Sequence, residues 1–306
     1  MLVSHETEVV RVNEATQRRG DAETQGNSPL SLGERVRVRG GPAQRGSQRM
    51  VWIFLLAARY SLLATSSQAA PSTADLVKIL ETIDDRQRNS GDYKSQIYME
   101  QKERDKPDIA YKALVYRRDE DDKLMILFTE PKAEAGKGYL RIDNNLWIYD
   151  PKVGKWERRT ERERIGGTDS RRTDFDESRM ASEYDPVFEA EEKLGAYTAL
   201  KILLKAKTGI DVAFPEVRLW VDKDTVNILK RLDYSLSGKL MRTALYPKWV
   251  KVFSESKGSD IYYPSQIYMF DEIDKANSTV VAIQTVDLRK LDANLFTKAW
   301  LESKSR

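Results

Sequence analysis

GKGYLRIDNNLWIYDPKVGKWERR, Gly136–Arg159, is the stretch on which the fold turns. Side chains alternate through Gly138–Ile142 and again through Asn145–Tyr149, with Asp143-Asn144 between them. The turn Asp150-Pro-Lys-Val-Gly154 then leads into Lys155–Arg159. A two-residue period broken at short intervals by turn-forming residues predicts an antiparallel meander. Within its middle strand Leu146 and Ile148 fall on one face and Trp147 and Tyr149 on the other, so both faces carry apolar side chains.

The same period extends outward in both directions. Upstream, Tyr93–Glu103, Ile109–Arg118 and Lys123–Glu130 read as strands, joined by the polar connectors Arg104–Asp108 and Asp119–Asp122. Leu124–Phe128 is apolar on both faces, which predicts that both are covered. Before these strands, Leu76, Ile79, Leu80 and Ile83 at three- and four-residue spacing predict an amphipathic helix, capped by Ser72 or Thr73 and ended by Asn89-Ser90-Gly91. Downstream, strands are predicted at Leu200–Ala206, Glu216–Asp222, Ile228–Leu236, Met241–Val252, Ser265–Asp271 and Val280–Val286, with a short closing helix at Asn294–Leu301. Between the two runs lies a highly charged segment, 160–180, with Gly166-Gly167 near its centre; it predicts a mobile loop. Ser182–Leu194 predicts a short helix broken at Pro186. The sum is one mainly β domain of about ten antiparallel strands and two or three helices.

Composition removes most chemistries. The 306 residues contain no Cys and one His, His5, so there is no thiolate nucleophile, disulfide or acylated Cys, and no imidazole outside the amino-terminal region. The chain holds 51 Lys+Arg and 48 Asp+Glu; nine Arg and six acids lie in 1–69, leaving 42 of each sign in 70–306. A neutral body of mixed sign lacks the footprint of a nucleic-acid binder. Asp119-Glu120-Asp121-Asp122 sits where a hairpin loop is solvated rather than where a metal is caged. Nothing in the spacing of the acids selects a glycosidase pair, and Gly136-Lys-Gly138 and Gly166-Gly167 lack the context of a phosphate loop. No cofactor or metal is expected.

The first seventy residues read as a leader. Residues 1–49 are polar and Arg-rich without hydrophobic period, and Ser28–Gly40 looks like a translated intergenic repeat, which places the start at Met50. Val51–Ala64 is an apolar run broken by Arg59, and Ser67-Gln68-Ala69 supplies small residues for cleavage. The expected organisation is a disordered leader at 1–49, a signal peptide at 50–69 and a periplasmic domain at 70–306. A membrane anchor is the alternative, though the run falls short of the ~20 residues that span a bilayer.

Aromatic residues recur within the strands, and a sheet apolar on both faces leaves room for an apolar groove wherever a helix covers it incompletely. Here the order of elements becomes familiar. Trp147-Ile-Tyr149-Asp-Pro151, Arg158-Arg159 and Gly167-Thr168-Asp169, followed by LWVDKDTVNILKRLDYSLSGKLMRTALYPKW (Leu219–Trp249) and LFTKAWLE (Leu295–Glu302), resemble the outer-membrane lipoprotein-sorting family, the LolA-like periplasmic carriers. The resemblance covers roughly 72–303, with extra material around 176–200 and 251–290. It implies an unclosed antiparallel half-barrel with helices covering the concave face. It also implies a non-enzymatic carrier of lipoprotein acyl chains or another lipid, served by an inner-membrane ABC or RND-type transporter and an outer-membrane acceptor. The alternative is an envelope lipid sensor, or an accessory binding module of such an exporter. The expected cleft residues are Ile97, Met99, Leu127, Trp147, Tyr149 and Trp220. Arg158 and Arg159 are expected either to hold a lid or to pair with Glu161 or Glu163 on a solvated face.

Overall fold

Thirteen strands form one antiparallel sheet whose order is β6-β5-β4-β3-β2-β1-β13-β12-β11-β10-β9-β8-β7. The computed structural model describes residues 70–305 except 143, 144 and 161, and all of them belong to one compact unit. The leader, the signal segment, His5, the Asp143-Asn144 turn and Glu161 lie outside the described residues.

In chain order the first half holds β1 (Asp92–Lys102), β2 (Ile109–Arg118), β3 (Lys123–Glu130), β4 (Gly138–Ile142), β5 (Asn145–Asp150) and β6 (Lys155–Arg159). The second holds β7 (Tyr184–Leu194), β8 (Tyr197–Ala206), β9 (Glu216–Asp222), β10 (Ile228–Tyr234), β11 (Leu240–Ser254), β12 (Ser259–Asp271) and β13 (Ser278–Asp287). Each strand pairs with its sequence neighbour except across one junction, where β1 meets β13 and joins the two halves. The two strands left at the edges, β6 and β7, are consecutive in sequence. The sheet is a barrel that does not close. The chain from β6 to β7 therefore has to travel from one edge of the open sheet to the other.

Period two sorts the side chains by face. Leu124, Ile126 and Phe128 point to the concave side and join the main core with Ile97, Met99, Val115, Ile202, Leu219 and Val281. Helix α1 (Thr73–Gln87) contributes Leu76, Leu80 and Ile83 to that core, and Ser72, one of the two expected caps, starts it with a capping box to Asp75. The other face of β3, Met125 and Leu127, is covered too. A 3₁₀ turn at Ala293–Phe296 and helix α3 (Lys298–Lys304) bring Leu295, Phe296 and Leu301 over it. This close seating needs Gly138, because a Cβ there would stand 2.7 Å from Leu301 Cδ1 and 2.9 Å from the Ile126 carbonyl oxygen. The sequence expectation that both faces of this strand are covered holds for this reason.

Two expectations fail. Ser182–Leu194 is not the broken helix expected: after one turn, α2 (Met180–Glu183), the chain becomes the eleven-residue edge strand β7, with Pro186 on it. Pro suits an edge, where one row of backbone groups has no strand to pair with. The segment 160–180 is not a loose loop either. Ile165, Thr168 and Ser170 are completely buried, and the segment lies across the concave side as a strap between the two sheet edges. Gly166, at φ 65°, lets the strap pass over the Phe128 ring, which a Cβ would approach to 2.8 Å.

Candidate functional site

Between the strap and the sheet lies a cavity of about 120 Å³. Its floor is apolar and comes from five concave-facing strands: Ile97 (β1), Val115 (β2), Tyr246 and Trp249 (β11), Ile267 (β12) and Ile283 (β13). Val212 and Ala213 wall one side. The roof is polar and comes almost entirely from the strap, Arg172 to Glu183. Such a volume is similar to the ~150 Å³ engineered cavity that admits a benzene molecule. It accommodates the end of a hydrocarbon chain, and a longer stretch only if the strap lifts.

The strap is held by charge. The concave rows of several strands end in buried ionised groups in phase with apolar ones: Ala113, Val115, Arg117 along β2; Tyr139, Arg141 along β4; Arg242, Ala244, Tyr246 along β11. The strap supplies the complement. Arg242 donates to Asp174 at 2.6 and 3.0 Å and to Asp233 at 2.7 Å, while Arg231 donates to Asp233 at 2.5 Å. Burial alone would raise the Asp174 carboxyl, but the Arg242 charge outweighs it and holds the group below the usual range. Two residues further along the strap Arg141 donates to Asp176 at 3.0 Å, and Asp176 also accepts from Arg172. Arg117 forks onto Asp119 at 2.9 Å through both nitrogens and reaches the carbonyl oxygens of Asp176 and Gln87. Asp84 on α1 accepts the backbone N–H groups of Met180 and Ala181 at 3.0 and 2.8 Å, so it caps α2 from outside.

One member of the roof is set apart. The Glu177 side chain is 10% exposed, and its carboxyl is pushed up to about 7, first by burial and then by Asp119 and Asp176, against the opposing charges of Arg88 and Arg117. Burial likewise raises Asp84, Asp169 and Glu183.

Of the cleft residues expected from sequence, Ile97 lines the cavity. Met99 shares its face but is fully buried in the main core, away from the cavity lining. The other four stand on the convex side. Leu127 and Tyr149 pack under the carboxy-terminal helix, and Trp147 carries Lys298 Nζ 3.8 Å above its ring. Trp220 lies between Lys201 and Lys230 and donates from its indole nitrogen to Glu192. The sequence showed two apolar faces without saying which was concave. The arginine pair is split in the same way. Arg158 sits opposite Trp147 on the convex side, while Arg159, opposite Leu146, pairs with Glu157 at 2.6 Å and approaches Glu163 of the strap at 3.8 Å.

The sequence reading missed Arg117, Arg141, Asp174, Asp176, Asp233 and Arg242. A signal was present for the arginines: Arg117, Arg141 and Arg242 each stand in period-two phase with an apolar strand residue, Val115, Tyr139 and Ala244, where an ion is costly unless paired.

Three solved structures share this architecture, each matching 76% of this chain and 100% of its own. A LolA superfamily protein from Nitrosomonas europaea is 22% identical with a TM-score of 0.63. A putative outer membrane lipoprotein-sorting protein domain from Vibrio parahaemolyticus is 16% identical with a TM-score of 0.65. A DUF1329 family protein from Desulfovibrio piger is 18% identical with a TM-score of 0.67. A family model whose description reads "Uncharacterized protein" matches residues 120–303, more than half of the chain. The chain belongs to that family, and its fold is LolA-like. No curated protein matches the sequence. The stretch covered by the family model includes the strap, its partners Arg141 and Arg242, and most of the carboxy-terminal helix over the LolA-like sheet.

Proposed function

We propose that the chain is a non-enzymatic carrier that takes an acyl chain into the cavity between sheet and strap. In this reading it moves the bound lipoprotein or other lipid across the periplasm toward the outer membrane. The observation that carries the reading is the cavity itself: an apolar floor of Ile97, Val115, Trp249, Ile267 and Ile283, closed by a strap bound to the sheet through ion pairs. Each methylene removed from water contributes about 0.8 kcal/mol, so a short length of chain gives useful affinity without any covalent step. The fold shared with a lipoprotein-sorting domain supports a lipid ligand. An inner-membrane ABC or RND-type transporter as donor and an outer-membrane acceptor complete the proposed route.

Native mass spectrometry of the protein purified from the bacterial envelope, followed by lipid extraction, tests this. A co-purifying acylated peptide or phospholipid is expected, and its identity names the cargo. A clean apo mass together with no uptake of added lipid or triacylated peptide refutes the carrier.

A further inference from the structure

The roof of the cavity carries two polar atoms without a hydrogen-bond partner, one of them on Glu177, whose other oxygen, Oε1, accepts from Arg179 Nε at 3.3 Å. Among the strap residues lining the cavity, most polar side chains are engaged: Arg172 with Asp176, Asp174 with Arg242, Ser178 with Asp84, and Arg179 with Asp122. Thr173 Oγ1 and Glu177 Oε2 are different. Both atoms are buried, and neither makes a hydrogen bond. Arg88 Nε is 3.3 Å from Glu177 Oε2 and forms an ion pair with it, without hydrogen bonding. Buried polar groups are almost always satisfied, so two such atoms, four residues apart on the strap and on residues lining one cavity, call for a partner.

We propose that Thr173 and Glu177 form a polar subsite for the uncharged linker of an amphiphile, its ester or amide carbonyl and neighbouring hydroxyl, while its chain lies on the apolar floor. This rests on the carrier reading above. The Thr173 hydroxyl donates to the carbonyl oxygen. The Glu177 carboxyl accepts from a hydroxyl or amide N–H when ionised and donates when protonated. The arginines at the subsite are paired with carboxylates, Arg88 and Arg179 with Glu177, Arg117 with Asp119 and Arg231 with Asp233, which selects against an anion. Residues 172–179 hold three acids, Asp174, Asp176 and Glu177, against Arg172 and Arg179, and both arginines already have carboxylate partners. A phosphate placed there would meet Glu177 and Asp176 before any unpaired cation of the strap.

The test uses three twelve-carbon probes: dodecane, monolaurin and dodecyl phosphate, each titrated by displacement of a fluorescent hydrocarbon dye. Wild type is compared with Thr173→Val and Glu177→Met, which keep shape and remove the polar atom. Each substitution is expected to weaken monolaurin about three- to tenfold while dodecane binds as before, which also shows that the variant is folded. The inference is overturned if monolaurin is unaffected, if monolaurin and dodecane weaken together, or if dodecyl phosphate binds wild type more tightly than monolaurin. Wild type that binds none of the three overturns the carrier reading along with it, whereas wild type that binds dodecane with no discrimination by the variants overturns the subsite alone.

Discussion

Replacing Glu177 by Gln removes a single titrating group from the strap, and the consequence has a definite sign. In the folded chain the carboxyl titrates at about 7, against 4.5 for an unperturbed Glu. Below about pH 4.5 both folded and unfolded states hold the proton. Between 4.5 and 7 the unfolded state releases it while the folded state keeps it, so wild-type stability falls as pH rises and levels off above 7. At 1.36 kcal/mol per pH unit the full span amounts to about 3 kcal/mol, reduced toward 2 because its ion-pair partner Arg88 is half exposed to solvent. Asp84, Asp169 and Glu183, also raised, give slopes of the same sign. Asp174 and Asp271 are lowered, so their contribution is lost only as pH falls below the ordinary Asp value of 3.8, outside the window. The difference between wild type and variant therefore isolates Glu177. Urea unfolding at constant ionic strength from pH 4.5 to 8 reads it directly: the wild-type curve should fall relative to that of Glu177→Gln by ~2–3 kcal/mol across the window. Parallel curves would refute the idea that this carboxyl is buried among like charges.

Four further outcomes are expected. Arg242→Met leaves Asp174 and Asp233 buried beside an apolar side chain and should cost about 3–5 kcal/mol in urea unfolding; a loss below 1 would mean that the strap does not depend on this pair. Gly138→Ala forces Leu301 or the β3 backbone aside, at about 1–3 kcal/mol, and should free the carboxy-terminal helix to proteolysis before the sheet; unchanged cleavage would place the helix elsewhere. Trp147→Ala, on the convex side, should leave dye and lipid affinity within about twofold, whereas Ile283→Trp fills the cavity and should lower them at least tenfold; the reverse pattern would put the ligand on the other face. Strap amides such as that of Phe175 should exchange hydrogen ahead of sheet amides such as that of Ile126, and equal rates would show that strap and sheet open only together.

How much was legible beforehand follows from what pattern analysis measures. Strands such as Ile109–Arg118, Lys123–Glu130, Gly138–Ile142 and Lys155–Arg159 have the limits expected, because a strong period and turn residues fix both ends. β7 was lost because Tyr184–Leu194 is an edge strand with five charged residues, in which neither face is fully apolar. Which face is concave was not legible at all: Trp147 and Leu146 alternate equally well, and the choice depends on the curvature of the whole sheet and on the junction of β1 with β13. The strap was misread for a physical reason. Its charges look solvated when read alone, and become structural only against Arg141, Arg242 and Asp271, at sequence separations of 35, 68 and 107 residues.

The topology and the strap's chemistry explain one another. An open sheet whose edges are consecutive strands must be crossed by the chain that joins them, so a cover over the concave face comes with the fold rather than being added to it. What the sequence is free to choose is how that cover is held. Apolar anchors would bind it at the full cost of exposing them to water on each opening. Here Ile165 and Phe175 supply a modest apolar hold, and the remaining attachment is carboxylate against guanidinium. The attraction within a buried pair is largely cancelled by the desolvation of its members, so a strap that lifts with both partners returning to water loses little net free energy. One partner exposed without the other is costly, which favours lifting the segment as a unit. A cover fixed in register yet inexpensive to raise is what the proposed carrier, which would both shield and release an apolar ligand, requires.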